Sequence, residues 1–289
     1  MDVGIIGKGF VGSAVEAGFR DKCNLVIYDP ALIESENSVS DVIHKSSFVF
    51  VCVPTPMKNV DGGPIDTKIM DSVMAEISVA NRDLIEKPVV IIKSTVIPSK
   101  LKEYSESYPD IRLVMSPEYL MERDHIRCFL NAELLVLGGK KEDVDAVELL
   151  FKEHSICKPC PVGKCDIIAA GLIKYMENCF LAMKVIFMNQ FYDIANLLGT
   201  TNSWDEIGDI FQLDSRMGNS HHRVPGPDSD RGFGGKCFSK DINAIIYDAE
   251  LLGYDLDLMK KVWEINTRIR TDIDWAHIKG AVSENDTGE

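Results

Sequence analysis

The 289-residue sequence lacks several things, and each absence narrows what the chain does. No apolar run approaches the roughly 20 residues a membrane-spanning helix requires, because every long stretch is broken by Lys, Glu, Asn or Gln. The opening MDVGIIGKGF has neither a positively charged stretch nor a cleavage site, so it reads as a strand and a glycine turn rather than a signal peptide. Cations are scarce: 31 Lys and Arg stand against 45 Asp and Glu, a net charge of −14. That balance speaks against nucleic acid or an anionic membrane as partner, since both need clustered cations. A local basic pocket for a phosphorylated small molecule remains compatible with it. Internal repeats and low-complexity tracts are absent too.

Eight cysteines without a secretory signal point to reduced thiols and a cytoplasmic protein. Cys157, Cys160 and Cys165 include a C-x2-C spacing, but His154 is the sole nearby candidate for a fourth zinc ligand. The stretch SICKPCPVGKC therefore reads as a short apolar strand plus a turn, and no metal is expected.

What is present is a regular alternation. Apolar runs at Val3–Ile6, Leu25–Tyr28, Phe48–Val53, Val89–Ile92, Leu113–Met115 and Leu134–Leu137 are separated by amphipathic segments such as Gly12–Arg20, Thr67–Val79 and Lys141–Glu153. Strand alternating with helix means an α/β fold, a mostly parallel sheet of Rossmann type covered on both faces. From about Cys165 the character changes. Asp166–Leu198 reads as one helix, apolar almost all round, with Asp166 as N-cap and Gly199 as its stop, and such a helix must be buried against other helices or another subunit. Further helices are expected at Ser203–Phe211, Ser239–Leu252 and about Asp257–Ile273, with a long polar loop over Gln212–Gly235. The expected organisation is a dinucleotide-binding domain over 1–162, a helical domain over 163–280 and a polar tail over 281–289.

Gly7-Lys8-Gly9-Phe10-Val11-Gly12 follows the first strand and opens a helix. Gly7 permits the tight turn, Gly9 lets backbone approach a pyrophosphate, Gly12 lets helix pack on strand, and the helix N-terminus attracts phosphate. The second strand ends at Asp29, 22 residues after Gly7, where a carboxylate takes a ribose 2′-hydroxyl. Pro30, Ala31 and Leu32 bring no Arg for a 2′-phosphate, so NAD is favoured over NADP.

A second chemical signal lies in Gly232-Phe233-Gly234-Gly235-Lys236-Cys237-Phe238-Ser239-Lys240-Asp241, where a glycine-rich loop delivers a cysteine to the start of a helix. That placement, with Lys236 and Lys240 nearby, favours a nucleophilic thiolate. Asp241 follows one helical turn later and is placed to position a water. Lys174 and Asn178, also at i, i+4, stand on the long apolar helix, where they either stabilise an oxyanion or form a solvent-facing stripe. Ser94-Thr95-Val96 and PEYLME, with Glu118 and Glu122, follow strands at the sheet edge where ligands of open α/β sheets bind.

In their order along the chain, GKGFVG, CVPTP, STVIP, SPEYLMER, KYMENCFLAMKVIFMNQ, DSRMG and GFGGKCFSKD resemble the nucleotide-sugar (UDP-glucose/GDP-mannose) dehydrogenase family. The resemblance implies a four-electron oxidation of a nucleotide sugar's primary alcohol to the carboxylate, consuming two NAD, with UDP-glucose favoured. It implies Cys237 as nucleophile, Lys174 as oxyanion donor, Asn178 to orient the intermediate and Asp241 to hold water or assist proton transfer. Glu118 would be the base for thioester hydrolysis and Thr95 would place its water. Val53, Pro54, Thr55, Thr95 and Glu122 would join Gly7, Gly9, Phe10, Val11, Gly12 and Asp29 around the cofactor. Glu118, Tyr119, Leu120, Glu122, Lys174, Asn178, Phe233, Gly234 and Lys240 would meet the sugar nucleotide. Arg216 would reach it across the interface of a homodimer formed through the long helix. Members usually continue with a second Rossmann-like domain that contributes much of the nucleotide site, whereas this sequence stops after the central helices. The loop His221–Asp230 is longer than usual, and His221, His222, Arg223 and Arg231 are candidates to take over phosphate or base contacts. Oxidation of UDP-N-acetylmannosamine or GDP-mannose by the same thiol, and a weak NAD-binding module completed by a partner chain, remain open at this point.

Overall fold

The computed structural model describes residues 1–32, 37–120 and 122–283; the side chain of Glu122 and most of the expected tail, residues 284–289, lie outside the described set. The elements run β1 (Asp2–Ile6), α1 (Phe10–Phe19), β2 (Asn24–Tyr28), α2 (Val39–Lys45), β3 (Phe48–Val51), α3 (Lys68–Ala80), β4 (Val89–Ile92), α4 (Pro98–Ser107), β5 (Arg112–Met115), α5 (His125–Leu130), β6 (Leu135–Gly139), α6 (Lys141–His154) and β7 (Val162–Cys165). Four helices follow, α7 (Ile167–Leu198), α8 (Trp204–Phe211), α9 (Lys236–Leu251) and α10 (Asp257–Ile269), with short 3-10 turns between and after them. Two compact units emerge, one of Met1–Thr55 with Thr67–Lys174, the other of Pro56–Asp66 with Tyr175–Glu289.

The first unit is a seven-stranded sheet ordered β2-β1-β3-β4-β5-β6-β7, parallel except where β5 meets β6. Its strands are apolar on both faces because both are covered. Val90 and Ile92 of β4 pack into one core with Val49, Met70, Met74 and Leu101. Val89 and Ile91 pack into the opposite core with Phe50, Val15, Val147 and Leu150. Burial at about 25 cal/mol per Å² of apolar surface makes these two layers the main favourable term. The chain leaves β1 for β2 on one side and returns to β3 on the other, so the crevice for ligands opens beyond the carboxyl ends of β1 and β3.

The second unit is helical. Cys179, Ala182 and Ile186 of α7 pack with Phe233, Ile242, Met259 and Val262. The excursion Pro56–Asp66 is stitched here rather than to the sheet. The Met57 N–H donates to the Ala281 carbonyl at 2.9 Å, and the Trp275 indole N–H donates to the Val60 carbonyl at 2.9 Å.

Asp166 does cap α7, its carboxylate accepting from the Ile168 and Ala169 amides at 2.9 Å each. Within the single chain this helix is covered on one side only. Leu172, Met176, Phe180, Phe187, Phe191 and Ile194 are exposed, and at 100° per residue they fall on a single stripe. Lys174, Asn178, Ala182 and Ile186 are buried on the other side. A correction concerns α9, which starts at Lys236 and not at Ser239, so Cys237 lies within its first turn. The reason is Gly235: its φ of +73° ends the loop there, a conformation that costs a residue with a Cβ dearly. Finally, α10 stops at Ile269, four residues short of the expected end, where the Arg270 backbone turns extended.

Candidate active site

In the first unit, α1 opens at Gly9, which offers no side-chain cap and is followed by no acidic residue in the first turn. The positive end of that helix is therefore open to an anion. A Cβ on Gly9 would meet nothing within 4 Å, whereas one on Gly12 would sit 1.9 Å from the Gly7 carbonyl oxygen. Room above Gly9 and contact beneath Gly12 are what a pyrophosphate cradle requires, so the residues fit NAD. The Asp29 carboxylate accepts from the Lys8 amide at 2.6 Å and the Ala31 amide at 2.8 Å, which sets it at the tip of β2 beside the glycine turn. Gly12→Ala should displace the turn. We expect NAD to bind at least about tenfold more weakly, measured by calorimetric titration, with the fold retained by circular dichroism.

The carboxyl ends of β3, β4 and β5 are tied to one another. Ser94 Oγ donates to the Val53 carbonyl at 2.7 Å and Thr55 Oγ1 to the Thr95 carbonyl at 2.9 Å, with Pro54 between. Lys93, which the sequence reading passed over, is buried and reaches Glu118 Oε2 at 2.9 Å. Glu118 Oε1 accepts from the Tyr119 amide at 3.0 Å. Tyr119 presents its ring to Lys174 Nζ, 4.7 Å from the centroid, and Leu120 packs against the second core.

Lys174 and Asn178 are 7% and 5% exposed, so the solvent-facing alternative does not hold. In the second unit, Asn178 Nδ2 donates to Asp241 Oδ2 at 2.5 Å and Lys240 Nζ contacts Asp241 Oδ1 at 2.6 Å. Asp241, 1% exposed, thus has both oxygens claimed, and Lys240 is drawn to that carboxylate. Cys237 is exposed in the turn before. Burial pushes up the thiols of Cys23, Cys52, Cys157, Cys160, Cys165 and Cys179, the last to about 12. Those six are poor nucleophiles for that reason. Among the described residues, no three His, Cys, Asp or Glu side chains are grouped to hold a metal ion.

The loop that carries Cys237 is held from α10 and the turn after it, by residues the sequence reading missed. Asn266, fully buried, accepts from the Phe233 N–H at 2.7 Å and donates to the Phe233 carbonyl at 3.0 Å. Asp274 accepts from the Gly235 N–H at 3.1 and 3.0 Å, and Arg270 pairs with Asp228 at 2.9 Å and stands 3.6 Å from Asp274. A Cβ on Gly234 would lie 2.6 Å from the Arg270 guanidinium. Burial works against the charge of Asp230, yet the amides of Asp272, Arg231 and Thr271 hold its carboxyl down to about 2. The spacing of Asn266, Arg270 and Asp274 at i, i+4, i+8 was the one available signal. Asn266→Ala leaves two buried backbone groups unpaired, and we expect about 3 kcal/mol or more of lost stability, read from the urea midpoint.

Of the remaining candidates, Arg216 is 81% exposed and forks onto Asp214 in a 3-10 turn. That turn is fastened to α7 by buried Lys184, which donates to the Met217 and Gly218 carbonyls at 2.8 and 3.3 Å. His222 is buried, its Nε2 2.9 Å from Gln212. Arg223 pairs with Asp205 and Asp209, and Arg231 with Asn189 and Asp193. The His221 ring lies 5.4 Å from that of Phe238, the residue after Cys237.

Comparison with known proteins identifies the family. The NAD binding domain of the UDP-glucose/GDP-mannose dehydrogenase family matches residues 15–154, and the central domain of the same family matches residues 169–268. The UDP-glucose 6-dehydrogenase TuaD of Bacillus subtilis is 30% identical over 89% of this chain and 54% of its own length. GDP-mannose 6-dehydrogenase of Pseudomonas savastanoi pv. phaseolicola is 27% identical over 79% of this chain and 52% of its own. The chain therefore spans about half the length of these two curated relatives. Among solved structures, a UDP-glucose dehydrogenase from Pyrobaculum islandicum superposes with a TM-score of 0.74 at 23% identity, covering 92% of this chain and 68% of that one. A 3-hydroxyisobutyrate dehydrogenase from Mycobacterium tuberculosis scores 0.72 at 15% identity over 92% of both chains, a likeness of fold. No described helix is long and apolar enough to cross a membrane. With a glycine cradle fit for NAD, a cysteine on a clamped glycine loop, and both family domains matched in order, the chain belongs to the UDP-glucose/GDP-mannose dehydrogenase family of NAD-dependent nucleotide-sugar dehydrogenases.

Proposed function

We propose that the chain oxidises the primary alcohol of a nucleotide sugar, UDP-glucose in the first instance, to the carboxylate through a covalent adduct on Cys237. The observation that carries this reading is an exposed cysteine in the first turn of α9, followed one turn later by a buried Asp241 held by Asn178 and Lys240. A helix N-terminus favours negative charge, and the glycine loop before it admits a ligand close to the backbone. NAD, when bound, supplies the hydride acceptor for each of two oxidations.

The chain's own residues do the rest. Cys237 sulfur adds to the aldehyde carbon to give a thiohemiacetal, and Lys174 with Asn178 donates to the oxyanion so formed. After the second oxidation the carbon is a thioester. Water then bonds to the acyl carbon, the C–S bond breaks with its electron pair returning to sulfur, and Glu118 takes the water's proton. Asp241 fixes Asn178 and the local water. The decisive experiment incubates purified chain with UDP-glucose and NAD and counts NADH per sugar consumed. A ratio near two supports the covalent route; a ratio of one, or turnover insensitive to thiol alkylation, overturns it. UDP-N-acetylmannosamine and GDP-mannose in parallel assign the sugar.

A homodimer through α7, in the cytoplasm, completes the reading. The exposed stripe from Leu172 to Ile194, interrupted by exposed Gln190, lies on a helix of 32 residues, about 48 Å long, and a long, mostly apolar face is what a self-complementary interface presents. The rings of Phe187 and Phe191 meet at 4.5 Å between centroids in its C-terminal third. Converting both to Glu should turn the dimer into monomer in analytical ultracentrifugation. A wild-type chain that sediments as monomer removes this part.

A further inference from the structure

We infer that Lys93 is a positioning residue for the release half of the reaction, acting through Glu118; this rests on the proposal above that Glu118 serves thioester hydrolysis. β4 reads Val-Val-Ile-Ile, every side chain buried, and the next residue is a lysine just 3% exposed. An ammonium at that depth contributes nothing to sheet formation that an apolar side chain would not supply better. Its backbone N–H donates to the Val51 carbonyl at 2.9 Å, so its stem is fixed by the sheet. Its Nζ meets three successive residues beyond β5: Ser116 Oγ at 3.4 Å, the Pro117 carbonyl at 3.3 Å and Glu118 Oε2 at 2.9 Å. The Phe129 ring closes the remaining side, its centroid 5.6 Å away.

Glu118, 13% exposed, is therefore gripped at both oxygens, one by Lys93 and one by the Tyr119 amide. A carboxylate so held keeps one orientation at the carboxyl edge of the sheet, which a base serving a single water needs. The geometry predicts a selective effect. On the proposed route both oxidations, the second of them from the adduct held by Cys237, Lys174 and Asn178, precede acyl release, so loss of Lys93 leaves them nearly intact; acyl release depends on Glu118 and slows.

The test compares wild type, Lys93→Met, Lys93→Gln, Lys93→Arg and Glu118→Gln with UDP-glucose and NAD, by rapid quench and intact-protein mass spectrometry. NAD binding, titrated separately, reports whether the sheet edge is intact. For the Met and Gln variants we expect an initial burst of about two NADH per site, then a steady rate at least about tenfold below wild type. An acyl adduct should accumulate on Cys237, as in Glu118→Gln, with NAD affinity within about threefold of wild type and partial rescue by Arg. Equal loss in burst and steady phases without adduct, or wild-type turnover in either neutral variant, overturns the role of Lys93 alone. A wild-type chain that forms no NADH with any nucleotide sugar, or a Glu118→Gln chain that never carries an adduct, overturns the functional reading and this inference with it.

Discussion

Cys237→Ser is expected to lower steady NADH formation from UDP-glucose on the order of 10³-fold or more, the scale seen when a covalent nucleophile is removed. The first oxidation needs no sulfur, so the variant should still carry out alcohol–aldehyde interconversion and should still bind NAD. What it loses is the adduct from which the second oxidation proceeds. A serine hydroxyl is a far weaker nucleophile than a thiolate, and the carboxylate one turn away, Asp241, is already engaged by Asn178 and Lys240. The substitution is at an exposed position, so the fold should tolerate it. Alkylation of native wild type should mark Cys237 ahead of Cys52 and Cys179, which are buried. A serine variant with wild-type steady turnover would remove the mechanism.

Asp241→Ala should combine a large loss of activity with a large loss of stability. The side chain is buried and its two oxygens accept from Asn178 and pair with Lys240, itself only partly exposed. Deleting one partner of a buried ion pair costs about 3–5 kcal/mol, because the remaining charge is stranded. Asn178 also loses the acceptor that aims its amide, and with it the oxyanion contact proposed above, an interaction of a kind whose removal costs on the order of 10²–10³ in rate. Asp241→Asn separates the two effects: it should recover part of the stability in a urea titration while activity stays low. Full activity in the Ala variant would show that Asn178 and Lys240 need no carboxylate between them.

The two variants bear on different kinds of information in the chain. The glycine turn at Gly7–Gly12, Asp29 at the end of β2, the cap at Asp166 and the motif around Cys237 are written in adjacent residues, so they were legible without coordinates. Capping, tight turns and hydrophobic periodicity arise from neighbours within one or two turns. The alternation of apolar runs likewise implied the sheet, and the order of motifs implied the family. Even the register of α9 was nearly readable, missed by three residues because a helix start depends on where backbone φ changes sign.

Tertiary structure alone decided the supports of the site. Lys93 finds Glu118 across 25 residues, Asn178 finds Asp241 across 63, and Asn266 and Asp274 reach back 33 and 39 residues to the Phe233 and Gly235 backbone. It also decided that residues 56–66 join the helical unit and that one face of α7 is buried while the opposite face is left apolar and exposed. None of these leaves a local signature. A buried charge or amide is stable only where the fold brings it a partner, and that partner is chosen by packing among distant segments, not by the residues on either side.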